Sequence, residues 1–163
     1  MDAMTLTVLF LVFLLAGAAV RFWLAKRQIT HVMEHRDQVP AAFSEKIRLS
    51  SHQRAADYTV QRTQLRITEG LVDIAILLWL TLGGGLAWLD SLLIGSMADD
   101  LWRQVALVAI VVAFLSAMQL PFTLYRQFKL EAKFGFNRMT LSLFIADGLK
   151  GLLVAAVLGL PLT

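Results

Sequence analysis

The chain has 163 residues, of which 58% are hydrophobic and 17% are charged, and its formal net charge is +3. This apolar content is higher than a water-soluble domain of this length can bury, so the composition predicts a membrane protein. The absence of cysteine excludes disulfides and thiolate metal sites. The basic residues adjoin apolar stretches and form no separate patch, so we expect the lipid bilayer, and no nucleic acid, as a partner.

Four apolar stretches are long enough to cross a bilayer as helices, at approximately 4–25, 67–89, 105–125 and 141–160. Only Asp2 precedes the first apolar run, so no basic n-region is present and we interpret this stretch as a retained anchor. Gly83-Gly84-Gly85 predicts a frayed or hinged end of the second span. Pro121 predicts a kink in the third. The predicted fold class is therefore all-α: a single polytopic membrane domain over 1–163 with about four transmembrane helices.

The polar segment 26–66 is too long to be a bare connection between the first two spans. Ser50-x-x-Gln53 fits a capping box, from which a helix continues without Gly or Pro into the second span. Pro40 would end a helical extension of the first span. We therefore predict a helical cytoplasmic loop, made of two helical pieces joined around 39–49.

Positive residues alternate between the predicted connections. Nine Lys and Arg residues lie from Arg21 to Arg66, Arg103 stands alone in the next connection, and four lie from Arg126 to Arg138. The positive-inside rule then places the amino terminus outside and the main loops in the cytoplasm.

His31, Glu34 and His35 form the pattern H-x-x-E-H, the inverted zinc-protease motif, with two histidines on one helix face. The neighbouring charges of Lys26 and Arg36 oppose a dication, and no third ligand can be assigned outside this cluster. We interpret the segment as a solvated interfacial helix, and we predict no metal there.

Polar residues inside the predicted spans are the other candidates. Glu69 and Asp73 lie four residues apart, and with Gln119 they could line a polar chamber or path. Asp147 and Lys150 can neutralise each other on one helix face. The chain has no H-E-x-x-H, no G-x-S-x-G and no glycine-rich phosphate loop. We therefore predict no catalytic residue and no cofactor in this chain.

Three consecutive motifs carry a family resemblance. They read P-F-x-x-Y, G-F-N-x-x-T and F-x-x-D-x-x-K, and this arrangement resembles the amino-terminal membrane region of the type I CAAX prenyl proteases, especially their bacterial relatives. The residues that match, with Phe134 directly before the second motif, are Pro121, Phe122, Tyr125, Phe134, Gly135, Phe136, Asn137, Thr140, Phe144, Asp147 and Lys150. Arg27-Gln28-Ile29, His31-Val32 and Ala56-Asp57-Tyr58 extend the resemblance over nearly the whole chain.

The resemblance implies a membrane-embedded zinc metalloendopeptidase in which helices enclose a large water-filled chamber. Family substrates are prenylated peptides in eukaryotes and membrane proteins in bacteria. The family's H-E-x-x-H helix and later glutamate ligand lie downstream of the matched region. The resemblance thus implies that this chain forms chamber wall and scaffold in a bacterial inner membrane and is inactive alone. Zinc would then belong to the full-length protein, and the missing carboxyl-terminal catalytic region would be a partner.

The G-F-N-x-x-T motif also fits a purely structural role in the turn between two membrane helices. Gly135 allows a tight turn flanked by Phe134 and Phe136, Asn137 would cap the next helix, and Thr140 would lie in its first turn. Two alternatives to the protease domain stay open. The first is a stand-alone four-helix protein that binds or transports a small solute and self-associates. The second is a pseudo-enzyme that kept the scaffold for protein interaction.

Overall fold

A computed structural model describes residues 2–94 and 100–159. The described residues form helices and turns without a strand, which confirms the all-α prediction. The chain divides into two compact units, Met1–Gly85 and Leu86–Thr163. The helices are α1 Ala3–Glu34, α2 Leu49–Thr81, α3 Gly85–Ile94, α4 Asp100–Leu124, α5 Ala132–Phe134 and α6 Leu141–Gly159, with a 3₁₀ turn at Ala41–Phe43 and a π-helical segment at Tyr125–Glu131.

Helical structure covers most of each predicted span, and the second span is interrupted between Thr81 and Gly85. Within the described part of the chain, Ala3–Glu34 and Leu101–Phe134 are long and apolar enough to cross a membrane. A third span results if Leu49–Thr81 and Gly85–Ile94 are counted as one broken helix. The fourth predicted span is helical over Leu141–Gly159, and Leu160 lies outside the described residues. That 1–163 forms one domain stays a prediction.

The first unit is built on the packing of α1 against α2. With 32 residues, α1 is about 48 Å long at 1.5 Å per residue, so it extends beyond a hydrocarbon core of about 30 Å. On α2, Ala56 and Thr63 are buried, and Gly70 lies two turns further along. A Cβ atom at Gly70 would be only 3.8 Å from the ring of Phe22 on α1. Small residues at this spacing let two membrane helices approach closely.

The connection between α1 and α2 has the predicted plan of two helical extensions joined beyond Pro40. The predicted capping box is wrong, because α2 begins at Leu49 with Arg48 as its N-cap residue and without a side-chain cap. Ser50 consequently lies inside the first turn. The Gln53 amide instead donates a hydrogen bond of 2.7 Å to Asp37.

The three consecutive glycines interrupt the second predicted span. The amides of Leu82 and Gly83 both donate to the carbonyl of Leu78, which closes α2, and Gly84 has a φ of +77°. A Cβ atom at Gly83 would lie 2.8 Å from the carbonyl oxygen of Trp79, so this position has no room for a side chain. The predicted hinged end is thus a helix break enforced by backbone geometry.

In the second unit, the third predicted span continues past its expected end at Tyr125. The π-helical segment and α5 extend it to Phe134, and Leu130 and Phe134 are buried. The ring of Phe128 meets the ring of Phe144 on α6 edge-on, with the centroids 5.9 Å apart. Much of the segment predicted as a loop is therefore helix, ordered by aromatic and aliphatic packing.

Candidate functional site

A polar groove lies between α1 and α2 in the first unit and has a volume of about 440 Å³. We call it the α1–α2 groove. It contains two guanidinium groups, two carboxylates and a wall of apolar side chains. The lining residues are Arg21, Phe22, Leu24, Ala25, Gln28, Thr63, Arg66, Ile67, Glu69, Gly70 and Asp73.

The predicted pair Glu69 and Asp73 lines this groove together. Glu69 is half-buried, Asp73 is exposed, and both have interactions within the protein. Arg21 and Arg66 line the same groove, so its formal charge is balanced. Charges at membrane depth are costly unless they pair or meet water, which gives the four residues a physical reason to lie together. Gln119, the third predicted chamber residue, lies on α4 in the other unit.

An ion pair between Arg36, just after the end of α1, and Asp57 on α2 joins the two helices. We call this pair the clip. The Arg36 Nε donates to Asp57 Oδ1 at 2.8 Å and its Nη2 donates to Oδ2 at 3.0 Å, a two-point guanidinium–carboxylate pair. Arg36 also pairs with Asp37 at 3.1 Å. The hydrogen bond to Asp57 is the main reason that the pKa of Arg36 is raised above its ordinary value. The clip was not predicted, although Asp57 belongs to a motif of the resemblance.

His31, Glu34 and His35 lie at the carboxyl end of α1, where all three are exposed. One potential ligand atom from each lies within 4.8 Å of the others. The His35 Nδ1 lies 2.9 Å from the carbonyl oxygen of His31, and the two rings are 4.3 Å apart. The spacing predicted by H-x-x-E-H is therefore present in three dimensions, on an exposed surface.

Gly135 ends the long helix of the second unit in the left-handed conformation, with a φ of +79°. Its amide donates to the carbonyl of Ala132 at 3.1 Å, and the amide of Phe136 donates to Glu131 at 2.9 Å. These two bonds form a Schellman motif, a helix end that favours glycine. The glycine of the G-F-N-x-x-T motif therefore has a backbone function.

The capping roles of Asn137 and Thr140 differ from the prediction. Thr140 is the residue before α6, and its hydroxyl accepts from the Leu143 amide at 3.3 Å. The Asn137 side-chain oxygen instead accepts from the Met139 amide at 2.7 Å and from the Gln127 amide group at 3.1 Å. Thr140 thus caps the helix, while Asn137 ties the turn to the π-helical segment.

The remaining motif residues lie along two helices. Pro121 is inside α4, four residues before the π-helical segment that begins at Tyr125, and Phe122 lies between them. Such wide helical turns are rare and often occur at functional sites. On α6, Lys150 Nζ lies 3.6 Å from Asp147 Oδ1, and both side chains are exposed. This is the predicted pair at i and i+3, and in this setting it contributes little to stability.

Long apolar helices that carry charged residues at the ends or edges of the spans define a multi-pass membrane protein. The family described as CAAX prenyl protease N-terminal, five membrane helices, matches residues 28–163. The chain belongs to this family, as its amino-terminal membrane domain.

Curated relatives match the same region. Probable CAAX prenyl protease 1 of Schizosaccharomyces pombe is 27% identical over an alignment 155 residues long; the match covers 84% of this chain and 32% of the relative. A CAAX prenyl protease 1 homolog of Oryza sativa subsp. japonica is 41% identical over 64 residues, 39% of this chain and 15% of that protein. This chain thus spans about a third or less of these relatives.

The fold also matches a solved structure. The crystal structure of S. mikatae Ste24p superposes with a TM-score of 0.82 at 22% identity, covering 92% of this chain and 36% of that one. At this identity the match establishes a common helical fold. The superposed region is the amino-terminal third or so of the solved chain.

Proposed function

We propose that this chain forms the membrane wall of a CAAX-type zinc metalloendopeptidase whose catalytic zinc is held by a carboxyl-terminal region. The observation that carries the proposal is the family match over 28–163, in a chain that covers 32% of its S. pombe relative. Its role is to scaffold the catalytic region and enclose the substrate, which would be a prenylated or membrane-associated peptide.

The histidines of this chain support the proposal that the catalytic zinc is held by the carboxyl-terminal region. A catalytic zinc site takes three protein ligands and keeps one position open for water. The chain has three histidines, His31, His35 and His52, and no H-E-x-x-H. The His52 Nε2 lies 3.0 Å from the carbonyl oxygen of His35, so it is engaged in fastening α2 to the end of α1. We assign no catalytic or metal-binding residue to this chain.

The proposal also includes the membrane in which the protein resides and its orientation there. The protein resides in a bacterial inner membrane, with the amino terminus outside and the α1–α2 connection in the cytoplasm. Basic residues on that connection support this orientation. The motif residues from Pro121 to Lys150 act structurally. Glu69 and Asp73 contribute polar wall surface in the first unit, and Gln119 does so in the second.

A chimera tests the proposal. The aligned amino-terminal region of the S. pombe relative is replaced by this chain, and membranes are assayed for chelator-sensitive cleavage of a prenylated CAAX peptide. We expect cleavage, and we expect it to persist in the His31→Ala/His35→Ala variant as a matched control. A chimera that inserts in the membrane and holds zinc but cleaves nothing would contradict the proposal.

Solute transport is a second candidate because Glu69 and Asp73 share the α1–α2 groove. This function would use a self-associated form of the chain. Solute-dependent flux through proteoliposomes that contain the pure chain, lost in Asp73→Asn, would favour it over the scaffold.

A further inference from the structure

The α1–α2 groove combines charges of both signs in one open cavity. Arg21 and Arg66 provide two guanidinium groups, and Glu69 and Asp73 provide two carboxylates. Its volume of about 440 Å³ is within the usual range for small-molecule sites. A ligand that complements this lining carries one anionic and one cationic group a few bonds apart.

The position of the groove along the two helices indicates which class of ligand can reach it. Arg21 lies near the end of the first predicted span, and Ile67 begins the second. Both therefore lie near one boundary of the hydrocarbon core, where lipid headgroups meet the protein. Phe22, Leu24 and Ile67 add apolar surface to the same cavity, against which an acyl chain can pack.

We propose that the α1–α2 groove binds a phospholipid with a primary amine in its headgroup. The phosphate pairs with Arg21 and Arg66, because guanidinium groups match phosphate oxygens in geometry and charge. The ammonium donates hydrogen bonds to Glu69 and Asp73. Each carboxylate offers about four lone-pair sites, so its interactions within the protein leave capacity for the ligand.

The chemistry discriminates among common headgroups. A primary ammonium has N–H donors, whereas the quaternary ammonium of a choline headgroup has none to offer the two carboxylates. A glycerol headgroup carries the phosphate without any positive charge, which leaves Glu69 and Asp73 facing an anion. The groove should therefore prefer phosphatidylethanolamine over phosphatidylcholine and phosphatidylglycerol.

Native mass spectrometry of the full chain, purified in detergent, tests this preference. The chain is titrated separately with phosphatidylethanolamine, phosphatidylcholine and phosphatidylglycerol of identical acyl chains. Hydrogen bonds to charged groups predict that the ethanolamine lipid binds about tenfold more tightly than the choline lipid. Asp73→Asn should remove this preference, and Arg21→Gln should weaken all three lipids.

Two exposed positions outside the groove serve as controls. Arg54→Gln and Glu45→Gln make the same charge changes on the surface of the same unit and should leave the preference intact. Equal affinity of the unaltered chain for all three lipids would overturn the proposal, even if a variant failed to fold. So would tightest binding of phosphatidylglycerol, or a folded Asp73→Asn variant with unchanged preference. The inference does not depend on the proposed proteolysis, and its test requires no catalytic region.

Discussion

Replacement of Gly135 by alanine isolates a single backbone effect. The residue has a φ of +79°, and a Cβ atom built there meets nothing within 4 Å. Alanine therefore meets no steric clash and incurs only the strain of the left-handed conformation, about 1–2 kcal/mol. For a chain of this length, roughly 2–4 °C per kcal/mol gives a fall in Tm of roughly 2–8 °C.

Gly148 provides the matched control in the same unit. It lies within α6, and its Cβ atom would also meet nothing within 4 Å, but its backbone is helical. Gly148→Ala should therefore stabilise the protein, by roughly 0.5–1 kcal/mol. The two glycine-to-alanine changes thus have opposite predicted signs.

Thermal unfolding of the purified chain in detergent measures both variants. Gly135→Val should lower the Tm more than Gly135→Ala, because a β-branched residue fits the left-handed region worst. His31→Ala, at an exposed helical position, should change the Tm little. Equal Tm values for Gly135→Val and His31→Ala, or a Gly135→Ala variant as stable as Gly148→Ala, would show that the left-handed conformation of Gly135 does not contribute to stability.

Three further predictions concern the first unit. Arg36→Gln and Asp57→Asn should each increase proteolysis of the α1–α2 connection. The double variant should be no worse than Arg36→Gln alone, which already removes the pair with Asp57 together with the pair with Asp37; additive effects would count against this. Gly83→Ala should lower the Tm in the same melting assay, because its Cβ would lie 2.8 Å from a carbonyl oxygen. Hydrogen bonds from Thr5 lower the pKa of Asp2 below 3.8. The cap that Asp2 provides should therefore stabilise α1 above this pH and weaken as the pH falls through the lowered pKa, seen as a smaller protection factor of the Thr5 amide after correction for the intrinsic pH dependence of exchange; a pH-independent protection factor would contradict it.

Hydropathy predicted the membrane helices because apolar length is a property of the sequence itself. It missed the helix from Tyr125 to Phe134, since Arg126, Lys129 and Glu131 end the apolar run without ending the helix. These residues are compatible with helical structure, and burial of Leu130 and Phe134 supports the extension. Hydropathy therefore located the spans better than it located the ends of their helices.

The spacing of residue types could not predict which residues cap α2 and α6, because this depends on where each helix begins in three dimensions. Ser50 and Asn137 are good cap residues, but Arg48 and Thr140 occupy the N-cap positions. Asn137 is engaged by Gln127, which a local pattern cannot anticipate. A helix that starts two or three residues away from its predicted position changes the function of every polar side chain near it.

The candidate site was predictable in part. Helical spacing put Glu69 and Asp73 on one face of α2, but the opposing Arg21 enters the groove only through the antiparallel packing of α1. The clip between Arg36 and Asp57 joins positions 21 residues apart through the same packing. Sequence periodicity describes one helix at a time, whereas the α1–α2 groove and the Arg36–Asp57 pair each form between two helices.

Peptide hydrolysis by the purified chain decides whether this protein is a membrane scaffold without its own catalytic centre. Prenylated and unmodified peptides are incubated with the chain in detergent, with added zinc and with a chelator, and bound zinc is measured by elemental analysis. We expect no cleavage under any condition and no stoichiometric zinc. Chelator-sensitive cleavage with about one zinc per chain, both lost in His31→Ala/His35→Ala, would contradict it and identify His31, Glu34 and His35 as a metal centre.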